Sequence, residues 1–179
     1  TFNAVIRKIE TDVIYQRLFK KVFHSEIILP EYIQKALAQF TGSIISANSK
    51  YDRYKRGEAS FSTQEENGYQ LYKANCASCH PEPLFTDYSF RNIGLPVTFL
   101  NDYGRWRITG KPEDSLKFKV PTLRNVYISS NYMHDGRFNT LAQCINHYRT
   151  GIQNSTTLDP LLLNGITLTN TQATELSLF

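Results

Sequence analysis

Apolar residues recur at three- and four-residue spacing through the first quarter of the chain. Val5, Ile6 and Ile9 share one stripe, Thr11 and Asp12 interrupt it with a capping residue, and Ile14, Leu18 and Val22 then repeat at every fourth position. Tyr15 and Phe19 widen that face, so the pattern predicts two short helices over residues 3–23. Pro30 suits the first turn of a third helix, whose stripe is Ile33, Leu37, Phe40 and Ile44. Residues 48–54 are polar with interspersed tyrosines and read as a connector. Ser62 and Glu65 have the spacing of a capping box and open a helix through Gly68, Tyr69, Leu71 and Tyr72 that delivers the chain to Cys76. From 81 to 121 periodicity is lost, with Pro81, Pro83, Pro96, Pro112 and Pro121 among the breakers; residues 117–120 predict only a brief extended piece. Leu141, Ile145 and Tyr148 share one face of a helix begun near Asn139 or Thr140, and residues 168–179 predict a last helix capped by Thr169.

The 179 residues suit one domain with a real core, and 41% hydrophobic with 20% charged residues is ordinary for a globular protein. A net charge of +4, without clustering, does not point to nucleic acid. No apolar run approaches the roughly 20 residues that span a bilayer. Thr1-Phe2-Asn3 is not a signal peptide, and the closing apolar run stops in mid-pattern, so both ends read as cut from a longer chain.

Chemistry enters at Cys76-x-x-Cys79-His80, the pattern for covalent attachment of a c-type haem. Two thiols one helical turn apart can add to the two vinyl groups along one porphyrin edge, and the histidine that follows can ligate the iron from below. This makes sense of the long irregular stretch, since loops can pack on a large apolar ring; Phe85, Tyr88, Phe90, Leu95, Phe99, Tyr103 and Trp106 are candidates for the wall, with core filling as the alternative for each. Cys144 is left over and reads as a buried free thiol. A zinc site built from Cys76, Cys79 and Cys144 or His147 is a weaker alternative, because a histidine directly after the second cysteine is poor zinc geometry. A thioredoxin-like pair lacks its βαβ context. Arg105 and Arg124 are candidate partners for haem propionates, with loop-anchoring hydrogen bonds as the alternative.

The stretches 119–126 (Lys-Val-Pro-Thr-Leu-Arg-Asn-Val) and 132–138 (Tyr-Met-His-Asp-Gly-Arg-Phe) carry a resemblance, supported by 36–40, 48–54, 102–106, the haem motif, and Thr140-Leu141 ahead of Tyr148. Together they resemble the C-terminal haem domain of the bacterial di-haem cytochrome c peroxidase and MauG family. The resemblance implies a mainly α, cytochrome c-like haem domain, with helices around a haem pocket and long irregular loops. Residues 1–57 would link an absent first haem domain to the second, and 58–179 would be the C-terminal haem domain, the two packed as one unit. It implies haem c held by Cys76 and Cys79, with His80 as proximal ligand. For the distal ligand it points to Tyr148, with Met133 as the alternative; His147, about 100° further round the helix, reads as a surface or interface residue. His134 would sit on a loop facing the partner haem domain, the alternative being a plain turn with Asp135 capping and Gly136 permitting positive φ. A calcium ion near Ser129 and Asn131 is a minor expectation.

For the whole protein the family implies a periplasmic enzyme with a second haem, reducing hydrogen peroxide in the N-terminal domain with electrons from a small redox protein. This chain would pass the electrons inward and be inactive alone; a homodimer is possible. The alternative is a mono-haem electron carrier without catalysis. Neither reading involves nucleic acid or a membrane span.

Overall fold

The computed structural model describes residues 2–98 and 100–179, so Phe99, one of the candidate wall residues, lies outside the described residues. Packing divides the chain into two compact units, Thr1–Ala47 and Asn48–Phe179.

In the first unit α1 (Phe2–Glu10) and α2 (Val13–Phe23) meet at Asp12, whose carboxylate caps α2 by accepting from the backbone N–H groups of Ile14 and Tyr15. The third helix, α3 (Pro30–Ser43), opens on Pro30 as its spacing predicts. The small core is Phe19, Ile28 and Ile33, packed by Ile6, Ile9, Phe23 and Tyr32. The stripes read from the sequence are divided: Phe19 and Ile33 are buried, whereas Ile14, Leu18, Val22, Leu37, Phe40 and Ile44 are exposed. Within this unit, then, four-residue periodicity marks a second apolar face as well as the core.

The second unit begins with a helix where the polar pattern of residues 48–54 predicts a connector. Ser49 and Asp52 form a reciprocal capping box on α4 (Lys50–Lys55), and Tyr51 and Asp52 are buried. The expected boundary at 57 and the observed one at 47 differ by this helix, because its side chains pack into the second unit. Next comes α5 (Thr63–Asn75), with Ser62 and Glu65 capping as their spacing predicts. Against it lies α8 (Asn170–Leu178), capped by Thr169 and Gln172. The crossing is close because Gly68 has no side chain: a Cβ there would sit 2.1 Å from the carbonyl oxygen of Glu175. Asn67 donates to the Glu175 carboxylate at 2.8 Å across the same contact. Under the crossing lies an aromatic core of Tyr51, Tyr69, Tyr72 and Phe85, with Tyr54, Phe61 and Phe179 packed on it.

The aperiodic stretch is ordered by pairing its two arms. β1 (Phe90–Arg91) and β2 (Phe118–Lys119) form a two-residue antiparallel ladder. The Thr86 hydroxyl donates to Val120 O at 2.7 Å, Val120 N–H to Ser89 O at 2.8 Å, and the Thr122 hydroxyl to Leu84 O at 2.6 Å. Backbone groups that no helix satisfies are satisfied here across the loop. After the short α6 (Trp106–Thr109), α7 (Leu141–Asn146) runs directly into a π-turn, His147–Gly151. Among the described residues no helix is long and apolar enough to cross a membrane.

Candidate functional site

The site is built where α5 ends. Cys76 is the C-cap residue, its N–H bonded to Tyr72 O at 2.8 Å, and the chain keeps turning: Cys79 N–H and His80 N–H both reach Cys76 O, at 3.2 and 2.9 Å. The two thiols are therefore one turn apart. Both are free and partly exposed; burial, and secondarily the neighbouring Cys79, pushes the Cys76 thiol up to about 11.

The His80 imidazole is oriented by backbone. Its Nδ1 lies 3.0 Å from Phe85 O and 3.1 Å from Pro121 O. Carbonyl oxygens only accept, so Nδ1 carries the proton and Nε2 keeps its lone pair, the state a metal ligand needs. Burial lowers the imidazole pKa and favours the same neutral form. The carbonyl of His80 accepts from the Tyr72 hydroxyl, tying the motif to the aromatic core.

Tyr148 comes from the π-turn. Burial raises its phenol pKa far above the ordinary value, with smaller contributions from the thiols of Cys76, Cys79 and Cys144. Cys144 is buried and free as expected, its Sγ 3.4 Å from Thr140 O. The thiol pair followed directly by an imidazole with a free Nε2 lone pair is the set that covalent haem attachment uses. Among the described residues no three His, Cys, Asp or Glu side chains group to hold a bare metal ion, so the zinc alternative lacks its ligand set.

The remaining candidates lie outside this set. Arg124 clamps Asp52 through two bonds of 3.0 and 2.8 Å and donates to Pro83 O at 2.9 Å, the loop-anchoring alternative. Arg105 pairs with Asp114 at 3.2 Å and lies over the Phe90 ring. Met133 sits in a tight turn with φ 69°, closed by Gly136 N–H on its carbonyl at 3.4 Å. His134 stacks on Phe118 with ring centroids 3.6 Å apart, while Asp135 pairs with Arg137. Ser129 and Asn131 are exposed. Of the aromatic wall candidates, Phe85 is buried in the core behind His80, whereas Tyr88, Phe90, Tyr103 and Trp106 are exposed. A cavity of about 300 Å³ between Arg91, Lys117, Thr157 and Asp159 is lined by none of the motif residues.

His147 corrects the sequence reading. It is 5% exposed, and its Nε2 lies 2.8 Å from Ile93 O. Asn92 is a buried hub that periodicity could not reveal: it is 1% exposed, donates to Ser155 and Thr157, and accepts from the N–H of Gly94.

Residues 1–60 match the family model described as di-haem cytochrome c peroxidase. The cytochrome c551 peroxidase of Nitrosomonas europaea is 37% identical over 136 residues, covering 73% of this chain and 41% of its own. The methylamine utilization protein MauG of Methylorubrum extorquens is 32% identical over 157 residues, covering 84% and 44%. Among solved structures, a MauG-like protein associated with microbial copper homeostasis matches with a TM-score of 0.83 at 29% identity, over 99% of this chain and 60% of that one. The diheme peroxidase BthA of Burkholderia thailandensis shares the fold, with a TM-score of 0.73 at 21% identity, over 98% and 57%. The chain thus spans less than half the length of these curated relatives.

Proposed function

This chain belongs to the di-haem cytochrome c peroxidase and MauG family, and from that premise we propose that it is the C-terminal, electron-transferring haem domain of a periplasmic oxidoreductase. The observation that carries the reading is His80, whose Nδ1 is held by two backbone carbonyls directly after two free thiols one turn apart.

Cys76 and Cys79 would hold haem c by thioether bonds, each S–H adding across one vinyl group. A bound haem supplies a one-electron ferric/ferrous couple. The residues would do the rest: His80 would offer Nε2 as one donor, with Phe85 O and Pro121 O fixing its tautomer, and Tyr148 would offer its phenol oxygen as the other, giving up its proton on ligation. A phenolate is a hard, anionic donor that favours ferric iron and lowers the potential; the thioether of Met133 would do the reverse. Tyr148 is preferred because it shares the face of Leu141 and Ile145 and is carried in the partly buried π-turn, whereas Met133 is held in the turn closed by Gly136. Arg124 acts as a loop anchor, and His134 as part of the turn that presents 132–138. In the whole protein this domain would receive electrons from a small redox partner and pass them to a peroxide-reducing haem in an N-terminal domain.

The test uses the full-length protein matured with covalent haem in a periplasm. Two haems per chain are expected, one of them on the peptide bearing Cys76 and Cys79. Tyr148→Phe should change the ferric spectrum and Met133→Leu should not; the opposite pair of results overturns the ligand assignment.

A further inference from the structure

We propose that His147 is a positioning residue that fixes the ring of Tyr148 toward the attachment thiols by bracing the π-turn against residues 92–94. This rests on Tyr148 as distal ligand. The turn that carries Tyr148 is of an uncommon kind: π-turns are less stable than α-helix and persist where something holds them. Relaxation by one residue into α-helix would rotate Tyr148 by about 100°, taking the phenol away from the thiols.

Three bonds oppose that relaxation. His147 Nε2–H donates to Ile93 O at 2.8 Å, Gln153 N–H to Gly94 O at 2.9 Å, and Ile166 N–H to Tyr148 O at 2.8 Å. Two of the three run to the same strap. The strap lies flat on the turn because residue 94 is glycine: a Cβ there would stand 2.6 Å from the Ile152 side chain and 2.8 Å from Gln153 O. It is itself rigid, since the Asn92 side chain fastens it to Ser155 and Thr157. Gly151 leaves the space that the imidazole needs, with a Cβ there reaching 3.0 Å from His147 Nδ1. The two rings then meet edge to face, centroids 5.4 Å apart. Any buried imidazole N–H needs an acceptor; this one finds it from the first residue of the turn, next to Tyr148, so satisfying the ring also ties the turn to residue 93.

Three substitutions separate bond from bulk. In His147→Gln the amide N–H reaches about as far as Nε2, in His147→Asn it stops short, and in His147→Leu it is gone. In the matured full-length protein the readout is the phenolate-to-iron charge-transfer band and the spin state by electron paramagnetic resonance. His147→Gln should resemble the parent. His147→Asn and His147→Leu should shift the ligated-to-unligated ratio about tenfold, the size of one lost buried hydrogen bond. Parent-like spectra in all three overturn the proposal, as do equal shifts in Gln and Asn, which would mean that volume and not the bond is what matters. The Gln and Asn variants are polar and similar in size, so their comparison stands even if His147→Leu fails to fold. Tyr148→Phe is the control: an unchanged spectrum there brings down the ligand assignment itself, whereas a changed one with silent His147 variants brings down only the brace.

Discussion

Asp52 is 9% exposed and its carboxylate takes both forks of Arg124, which holds it well below the usual carboxylate range; two bonds from Ser49 add to the effect. The pair joins α4 to the loop that follows the haem motif, because the same guanidinium also holds Pro83 O. Removing one member would leave a buried charge without its partner, so Arg124→Ala should lower stability by about 3 kcal/mol in urea titrations near neutral pH. The pH dependence has a definite sign. The folded pKa of Asp52 is depressed, so its contribution is complete above the unfolded value near 4 and is lost as pH falls below it. Glu65, held at about 2 by Lys50 and by the N–H and hydroxyl of Ser62, titrates in the same direction. The parent should therefore lose stability steadily as pH drops from about 4 toward 2, and Arg124→Ala should show a shallower slope. An unchanged slope would mean that Asp52 is not the group responsible.

Elements were legible where their signal was local. Asp12, Ser62 with Glu65, and Thr169 announce the starts of α2, α5 and α8 because a cap needs only neighbours three residues away. Ser49 and Asp52 carry the same kind of spacing, yet two tyrosines and few aliphatic residues made α4 read as linker; those tyrosines face an aromatic core assembled from distant segments. The motif Cys76-x-x-Cys79-His80 could be read directly, whereas the carbonyls that orient His80 could not, since Pro121 is 41 residues away. α-Helical steps place His147 on the surface, whereas the π-turn, with Ile93 on one side and Phe138 on another, buries His147 fully and the adjoining Tyr148 partly. Gly68 has no sequence signature of its own, and only the crossing explains it. A methyl group there meets the α8 backbone, which cannot move aside as a side-chain end would, so Gly68→Ala should cost about 3 kcal/mol, at the high end for overpacking. Thermal melting of the haem-loaded protein checks this, and an unaltered melting temperature would refute it.

At the scale of the whole molecule, every residue assigned to the site lies in the second unit, which has its own core and its own helix crossing. Residues 48–179, expressed with haem-attachment machinery, should therefore retain covalent haem and the ferric spectrum of the longer chain. A protein that is proteolysed or haem-free only when 1–47 is removed would show that the first unit is needed for folding. The α5–α8 crossing has one more consequence, in the order of biogenesis. It joins Asn67 to Glu175, 108 positions apart, while His80 Nδ1 finds Phe85 O only five positions away. Closing the longer loop costs about 2.7 kcal/mol more chain entropy than closing the shorter one, so the attachment turn can form while α8 is still undocked. Covalent loading at the turn and closure of the core behind it should therefore be separable in time.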